Sequence, residues 1–301
     1  MKEGDIVLLR LGTDQIHAVG IVVGDYRYNE LFADVDGWDI QHVRRVKWIW
    51  PNSIYGEKVK KFPTYSAKSG DTTQLLGENS KRKPILDWFN ELEISFDEIN
   101  LSLPPLPEIE IDNRNITLDL IGEFLFDKGV SYQSIENLKQ VIDDLQMIAK
   151  WYDGDAKLKP SEYETECYLI IPLLRALGWT PQKMKLEYSP PKHRKRIDIA
   201  LFTYLPRNEE NITTIVEAKK KGRSIFRAFN QAKNYADTNV NIKKIIVSDG
   251  IRYAVYFKKE NKWKLHAYLN LIRFQIDYPI YNCSGTLEAL WTMTPEWKEG
   301  F

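Results

Sequence analysis

Cysteine is scarce in this sequence: Cys167 and Cys283 are the only two in 301 residues. A chain of this length buries a core without disulfides, so the few thiols point to a reducing, cytoplasmic setting. The four histidines are scattered, and no Cys/His spacing resembles a zinc site. No run approaches the roughly 18–20 apolar residues that a membrane span needs. The opening MKEGDIVLL lacks the basic-then-apolar build of a secretory signal. No GxxxxGKS or GxxxxGKT loop occurs, so an ATP-driven motor is not expected. Net charge is absent as well, with 42 Lys and Arg against 42 Asp and Glu.

That zero is a cancellation. Residues 86–155 carry 4 basic and 16 acidic groups, whereas residues 156–275 carry 24 basic and 11 acidic. A balanced total therefore does not exclude a nucleic-acid partner, because the basic excess is local. Nine Trp and 16 Tyr exceed what a core requires, which places some of them at surfaces or in pockets.

The first fifty residues read as strands over Asp5–Leu11, His17–Val23 and Val43–Trp50, with turn chemistry at Gly12–Asp14, Gly24–Asp25 and Asp36–Gly37. Short strands at this spacing predict a small β-barrel. A helix is expected at Pro84–Leu92. Leu103–Glu108 (LPPLPE) reads as a linker, since its three prolines favour extended chain. Leu118–Asp127 and Ser134–Trp151 carry apolar residues at helical spacing and read as acidic connecting helices. Ser161–Gly178 opens with Ser161 three residues before Glu164, a capping box, and stops at Gly178. Strands at Arg196–Tyr204 and Thr213–Ala218, a helix at Ser224–Asp237, and strands at Lys243–Val247 and Arg252–Phe257 complete an α/β pattern.

Polar groups interrupt these strands where apolar residues belong. Asp198 sits between Ile197 and Ile199, and Glu217 and Lys219 follow Ile215 and Val216. Strand side chains alternate, so Glu217 and Lys219 share one face. A hairpin turning at Pro206–Asn211 brings Asp198 to the same sheet edge as Glu217. Paired carboxylates with a lysine suit Mg²⁺, which takes oxygen ligands and keeps several waters. Such an ion acidifies water and stabilises charge on a phosphate. Lys219 would position that water, deprotonate it or neutralise charge. A strand ending in EAKKK also fits a solvated sheet edge.

The ordered set Glu162, Leu177-Gly178-Trp179, Arg196-Ile197-Asp198, Val216-Glu217-Ala218-Lys219, Gln231 to Tyr235 and Ser248-Asp249-Gly250 resembles the PD-(D/E)XK nuclease superfamily. It is similar to the N-terminal nuclease domain of type I restriction endonuclease motor subunits over about residues 160–260. Where the motif carries proline, this chain has Ile197. The resemblance implies that Asp198, Glu217 and the Ala218 carbonyl hold the metal, Mg²⁺ with Mn²⁺ as a substitute, without ATP. It implies that Lys219 is catalytic, that Gln231 shapes the site, and that Glu162 or Glu166 supplies a further acid from the opening helix.

Basic clusters flank this constellation: Lys192, Arg194, Lys195 and Arg196 precede the Asp198 strand, and Lys220, Lys221, Arg223 and Arg227 follow the Glu217 strand. Their placement suits a phosphate backbone, although charge runs also serve as solvated faces. His193 belongs to the first cluster. Near the N-terminus, Tyr26, Trp38 and Trp48 offer stacking rings, and Asp39 and His42 offer hydrogen-bonding edges, as recognition of an everted base requires. Residues 1–85 weakly resemble the EVE and PUA-like barrels that bind modified bases, on the Gly-Asp start, the AVGIV strand and the Trp-rich stretch. Packing of a small barrel core accounts for the same aromatics.

The expected architecture is multidomain: an N-terminal β-barrel for DNA or modified-base recognition (1–102), a Pro-rich linker with acidic helices (103–155), an α/β restriction-endonuclease-like domain (156–275) and a C-terminal tail (276–301). The expected function is a cytoplasmic, metal-dependent DNA endonuclease of the modification-dependent, type IV-like restriction kind, acting on double-stranded DNA in antiviral defence. One nuclease centre cuts one strand, so a double-strand break requires a homodimer or successive nicks. A repair or recombination nuclease reading DNA structure fits the same residues, as does a non-catalytic DNA-binding subunit of a defence complex.

Overall fold

The computed structural model describes residues 1–11, 15–50, 60–61, 79–91, 93, 100–105, 114–154, 157–189 and 196–298. They form two compact units, Met1–Glu30 with Ile40–Glu108, and Leu31–Asp39 with Ile109–Phe301.

In the first unit, β1 (Ile6–Leu11), β2 (Gln15–Tyr28) and β3 (His42–Trp50) form an antiparallel meander, with the short β4 (Lys60–Lys61) also pairing with β2. Among the described residues this sheet is open, which corrects the expected barrel: β1 and β3 each pair with β2 and not with one another. Closure needs enough strands for the tilt and register to bring the edges together. Here a helix covers the apolar face instead. Helix α1 (Asn79–Glu91) buries Ile85, Trp88 and Phe89, spaced three and four apart, against Ile16, Val19 and Trp50. The Trp50 and Trp88 rings meet edge to face at 4.7 Å. This helix begins before the expected Pro84, which lies inside it.

The second unit opens with α2 (Leu118–Asp127) and α3 (Tyr132–Gly154). These acidic helices are part of its core and not a connecting segment. Ile121, Leu125, Ile135, Leu138, Ile142 and Leu145 pack with Leu169, Leu173 and Leu174, while Asp119, Glu123, Asp143 and Asp144 face solvent. An apolar stripe of this width must be covered, whatever charge the opposite face carries.

A continuous helical run follows: α4 (Glu162–Thr165), a π-helical turn at Glu166–Ile170, and α5 (Ile171–Ala176). Then come β5 (Met184–Tyr188), β6 (Ile197–Phe202), β7 (Ile212–Ala218), α6 (Ile225–Ala236), β8 (Lys244–Ser248), β9 (Arg252–Lys259) and β10 (Lys262–Asn270). The strands β11 (Asp277–Tyr278) and β12 (Cys283–Ser284) and the helix α7 (Thr286–Thr292) complete the unit. The eight strands lie in the order β11-β12-β10-β9-β8-β7-β6-β5. Residues 276–301, read as a tail, therefore supply two strands and a helix, and Leu290 and Met293 are core residues. In sequence their short apolar runs fall below the length at which periodicity registers.

Parallel pairing joins β7 to β8 through the α6 crossover. Alternate residues separate the two faces of this sheet. Val216, Ile246 and Val255 pack with α3 and α5, whereas Ile215, Ile245 and Val247 meet Ala228 and Ala232 of α6. Central strands buried on both sides read as near-continuous apolar runs, which makes a charged residue within them conspicuous. Among the described residues, no helix is long and apolar enough to cross a membrane.

Candidate active site

The β6–β7 hairpin pairs Ile199 with Val216, so the next rung sets Asp198 beside Glu217. Asp198 Oδ2 accepts the Ala218 N–H at 2.7 Å. Just beyond β7, the Lys219 N–H donates to the Ser248 carbonyl at 2.8 Å, which carries the backbone on alongside β8. Its side chain meets three oxygens. Lys219 Nζ donates to Glu217 Oε1 at 2.6 Å, the Ala218 carbonyl at 2.6 Å and Glu162 Oε1 at 3.0 Å.

Glu162 arrives on α4, whose start is fixed by the expected capping box: Glu164 N–H donates to Ser161 Oγ at 3.1 Å, and Ser161 N–H to Glu164 Oε2 at 2.7 Å. The helix lies close against the Ser248-Asp249-Gly250 turn. Gly250 has φ +82°, and a Cβ there would stand 2.6 Å from Leu169 and 2.9 Å from Thr165. Both acids of the opening helix are at the site, in different positions. Glu162 binds Lys219, whereas the Glu166 carboxyl accepts no hydrogen bond among the described residues and feels the charge of Asp198.

Burial, followed by the Asp198 charge, pushes Glu217 up to about 7 against the pull of Lys219. Burial, then Asp198 and Glu162, push Glu166 up to about 7 as well. Asp198 is raised by burial, even with the Ala218 N–H lowering it. Burial lowers Lys219, but hydrogen bonds to Glu217 and Glu162 hold it above the usual lysine range. Four carboxyl groups thus share one ammonium, and the site is short of positive charge.

Among the described residues, no three His, Cys, Asp or Glu side chains are grouped so as to hold a metal ion by themselves. The donor set still fits Mg²⁺, which uses one or two carboxylates and retains water, in contrast to an ion that needs a full protein cage. Glu217, Glu162 and the Ala218 carbonyl already converge on a cation, the Lys219 ammonium.

Beside this cluster opens a cleft of about 610 Å³, lined by Glu162, Lys219, Lys220, Arg223, Arg227 and Gln231, with Asp36 and Trp38 also in the lining. Of the residues expected to bind phosphate, Lys220, Arg223 and Arg227 face the cleft, but Lys221 does not line it: its ammonium donates to the Tyr152 carbonyl and lies 3.8 Å from Asp153 Oδ1. Arg196 pairs with Glu187 at the surface. Lys192, His193, Arg194 and Lys195 lie outside the described residues.

The expected base-binding residues are divided between the units. Trp38 and Asp39 belong to the second, and Tyr26, His42 and Trp48 to the first. In the first unit Tyr26 Oη and His42 Nδ1 are 2.6 Å apart with their rings stacked at 5.8 Å, and Trp48 is exposed on β3.

Residues that sequence reading overlooks hold Trp38 in place. Val35 and Trp38 exchange backbone hydrogen bonds of 2.9 and 3.0 Å around Asp36 and Gly37, whose φ values of 51° and 86° suit a type I′ turn. Buried Asp34 anchors that turn on Arg252, Tyr268 and Asn270. The Asp36–Gly37 signal is visible in the sequence, but nothing local indicates that its segment joins the second unit.

The family described as a domain of unknown function (DUF8426) matches residues 1–66. No curated protein matches the chain. Among solved structures, the chain is similar to a fragment of a putative HsdR subunit of a type I restriction enzyme from Vibrio vulnificus YJ016. The two share 19% identity with a TM-score of 0.31, over 46% of this chain and only 26% of that one.

Proposed function

We propose that the chain is a Mg²⁺-dependent DNA endonuclease of the modification-dependent restriction kind, hydrolysing phosphodiester bonds of foreign DNA. The observation that carries this reading is the convergence of Glu162, Glu217 and the Ala218 carbonyl on the Lys219 ammonium, with Asp198 on the adjacent strand. Asp198, Glu217 and the Ala218 carbonyl would hold the ion. Bound there, Mg²⁺ supplies positive charge at a phosphate and a more acidic water.

The chain's own groups have separable tasks in this proposal. Lys219 neutralises charge at the phosphate or carries a proton, and Glu162 orients its ammonium. Arg223, Arg227 and Lys220 bind flanking phosphates from the cleft wall, and Gln231 offers an amide to the same space. The exposed rings of Tyr26, Tyr28 and Trp48 in the first unit supply surfaces for reading a modified base.

Incubation of the full chain with plain, methylated and hydroxymethylated DNA in Mg²⁺, Mn²⁺ or chelator tests both parts. Cleavage should require the cation and favour modified DNA. Asp198→Ala and Lys219→Ala should each reduce cleavage by about 10²-fold or more. Activity that survives both substitutions would remove the site assignment. Equal cleavage of all three DNAs would remove the modification dependence alone.

A further inference from the structure

We propose that Trp38 is a stacking platform for an unpaired nucleobase beside the phosphate held in the cleft, so that the site accepts DNA with an exposed base and not an undisturbed duplex. This inference rests on the nuclease reading for its phosphate and adds the state of the nucleotide next to it.

The ring is conspicuous first for its exposure. Trp38 is 67% exposed, and it stacks on no other ring among the described residues. An exposed tryptophan on a loosely held loop would be unremarkable. This one is fixed. Asp34 accepts from Arg252 Nε at 3.0 Å, Asn270 Nδ2 at 2.7 Å, Tyr268 Oη at 3.1 Å and Gly37 N–H at 3.2 Å. Tyr281 Oη donates to the Asp34 carbonyl at 2.8 Å and accepts the Asp36 N–H at 2.7 Å. Asp36 Oδ1 accepts the Ile225 N–H at 3.1 Å, at the start of α6. The turn therefore holds the main chain that carries the ring in one place before any ligand arrives, and little backbone ordering remains to be done on binding.

The second observation is what shares the cleft. Lys219, Lys220, Arg223 and Arg227 line it with Trp38, and neither arginine nor Lys220 pairs with a carboxylate among the described residues. Asp36 occupies the first turn of α6, so phosphate binding falls to these side chains and not to the helix end. A row of cations with an aromatic face is the combination that binds single-stranded nucleic acid, phosphates on the cations and a base on the ring. In a continuous duplex both faces of each base are covered by its neighbours. A ring beside the backbone gains a base only where one is unpaired or everted.

Fluorescence of 2-aminopurine placed in an oligonucleotide reads this stacking directly, with the full-length chain and without cleavage. The DNAs are a single strand, a perfect duplex, and a duplex with one bulged 2-aminopurine. Wild type should quench the single-stranded and bulged probes, and Trp38→Ala should bind them roughly 5- to 100-fold more weakly without quenching. Trp38→Phe should keep most of the affinity, and duplex binding should be the same in all three proteins. Equal binding and quenching by wild type and Trp38→Ala would overturn the proposal, as would an equal loss on the perfect duplex. Trp38-dependent quenching in a chain that cuts no DNA would leave stacking in place and remove the nuclease reading. Cleavage that needs Asp198 and Lys219 but is indifferent to Trp38 would do the reverse.

Discussion

Asp34 Oδ1 and Arg252 Nε lie 3.0 Å apart across 218 positions of sequence, and both side chains are buried. Arg252 also faces Asp249, with Nη1 3.4 Å from Oδ2. Burial alone would lower the guanidinium, but Asp249 and Asp34 hold it above its ordinary range. Removing one partner of a buried pair leaves a desolvated charge uncompensated, at about 3–5 kcal/mol. Asp34→Ala should therefore destabilise the second unit by that amount in urea unfolding. The double variant Asp34→Leu with Arg252→Met should recover little of the loss, because it also strips buried Asp249 of its guanidinium. A single-variant change below about 1 kcal/mol would mean that solvent or Asp249 already compensates Arg252.

Gly250 tests how the opening helix is placed. Its φ of +82° disfavours any Cβ, and the added atom would meet Leu169 and Thr165 inside 3 Å. Gly129 has a similar φ of +88° but nothing within 4 Å. Gly129→Ala should thus carry the backbone strain alone, about 1 kcal/mol, whereas Gly250→Ala adds overpacking of about 1–3 kcal/mol. The second should also shift α4 and with it Glu162, so cleavage should fall further than stability predicts. Thermal unfolding and cleavage measured on both variants separate the two effects. Equal outcomes would mean that the helix moves aside freely.

What is legible in the sequence follows the same division between local and distant causes. Asp198 and Glu217 stand out because each breaks an apolar strand, Lys219 follows Glu217 by two residues, and the period of two puts them on one edge. Ser161 and Glu164 announce α4 by their spacing alone. The role of Asp34 is not legible, since its partners come from β9 and β10 and no local pattern specifies them. The apolar stripe of α3 is legible at helical spacing, but its cover is not, because Leu169, Leu173 and Leu174 come from a later helical run. Barrel closure escapes sequence reading for a related reason: strand pattern gives the strands, but edge pairing decides whether a sheet closes.

The cleft arginines and Lys221 come from the same basic run but should behave differently towards DNA. Arg223 and Arg227 line the cleft, while Lys221 is tied to the Tyr152 carbonyl and Asp153. Every cation that stops neutralising a phosphate reduces the slope of log affinity against log salt by about 0.7–0.9. The double variant Arg223→Ala with Arg227→Ala should lower the slope by roughly 1.4–1.8 and weaken binding to all sequences alike. Lys221→Ala should leave the slope unchanged. Anisotropy titrations between low and moderate salt give both values, and a slope change for Lys221 alone would reverse the assignment.

Lys244 should make stability depend on pH in a direction opposite to that of a paired lysine. It is buried in β8, where its ammonium donates to the Thr292 and Thr294 carbonyls at 2.6 and 3.2 Å and lies 5.1 Å from the Trp297 ring. Burial nevertheless pushes it down to about 7 from an ordinary 10.5, with Glu296 opposing the shift. Between those values the unfolded chain holds a proton that the folded chain has released. Stability from this group therefore rises with pH from about 7 towards 10.5, and below the lower value it levels off at its minimum. Cys283, pushed up to about 12 by burial, acts in the opposite sense above pH 9, so the total curve mixes both. Comparison with Lys244→Met isolates the lysine, because methionine keeps the volume and does not titrate. The wild type should gain on this variant by up to about 1.4 kcal/mol per pH unit within the window. Parallel unfolding curves for the two proteins from pH 7 to 9 would show that the two carbonyls and Trp297 keep Lys244 charged despite its burial.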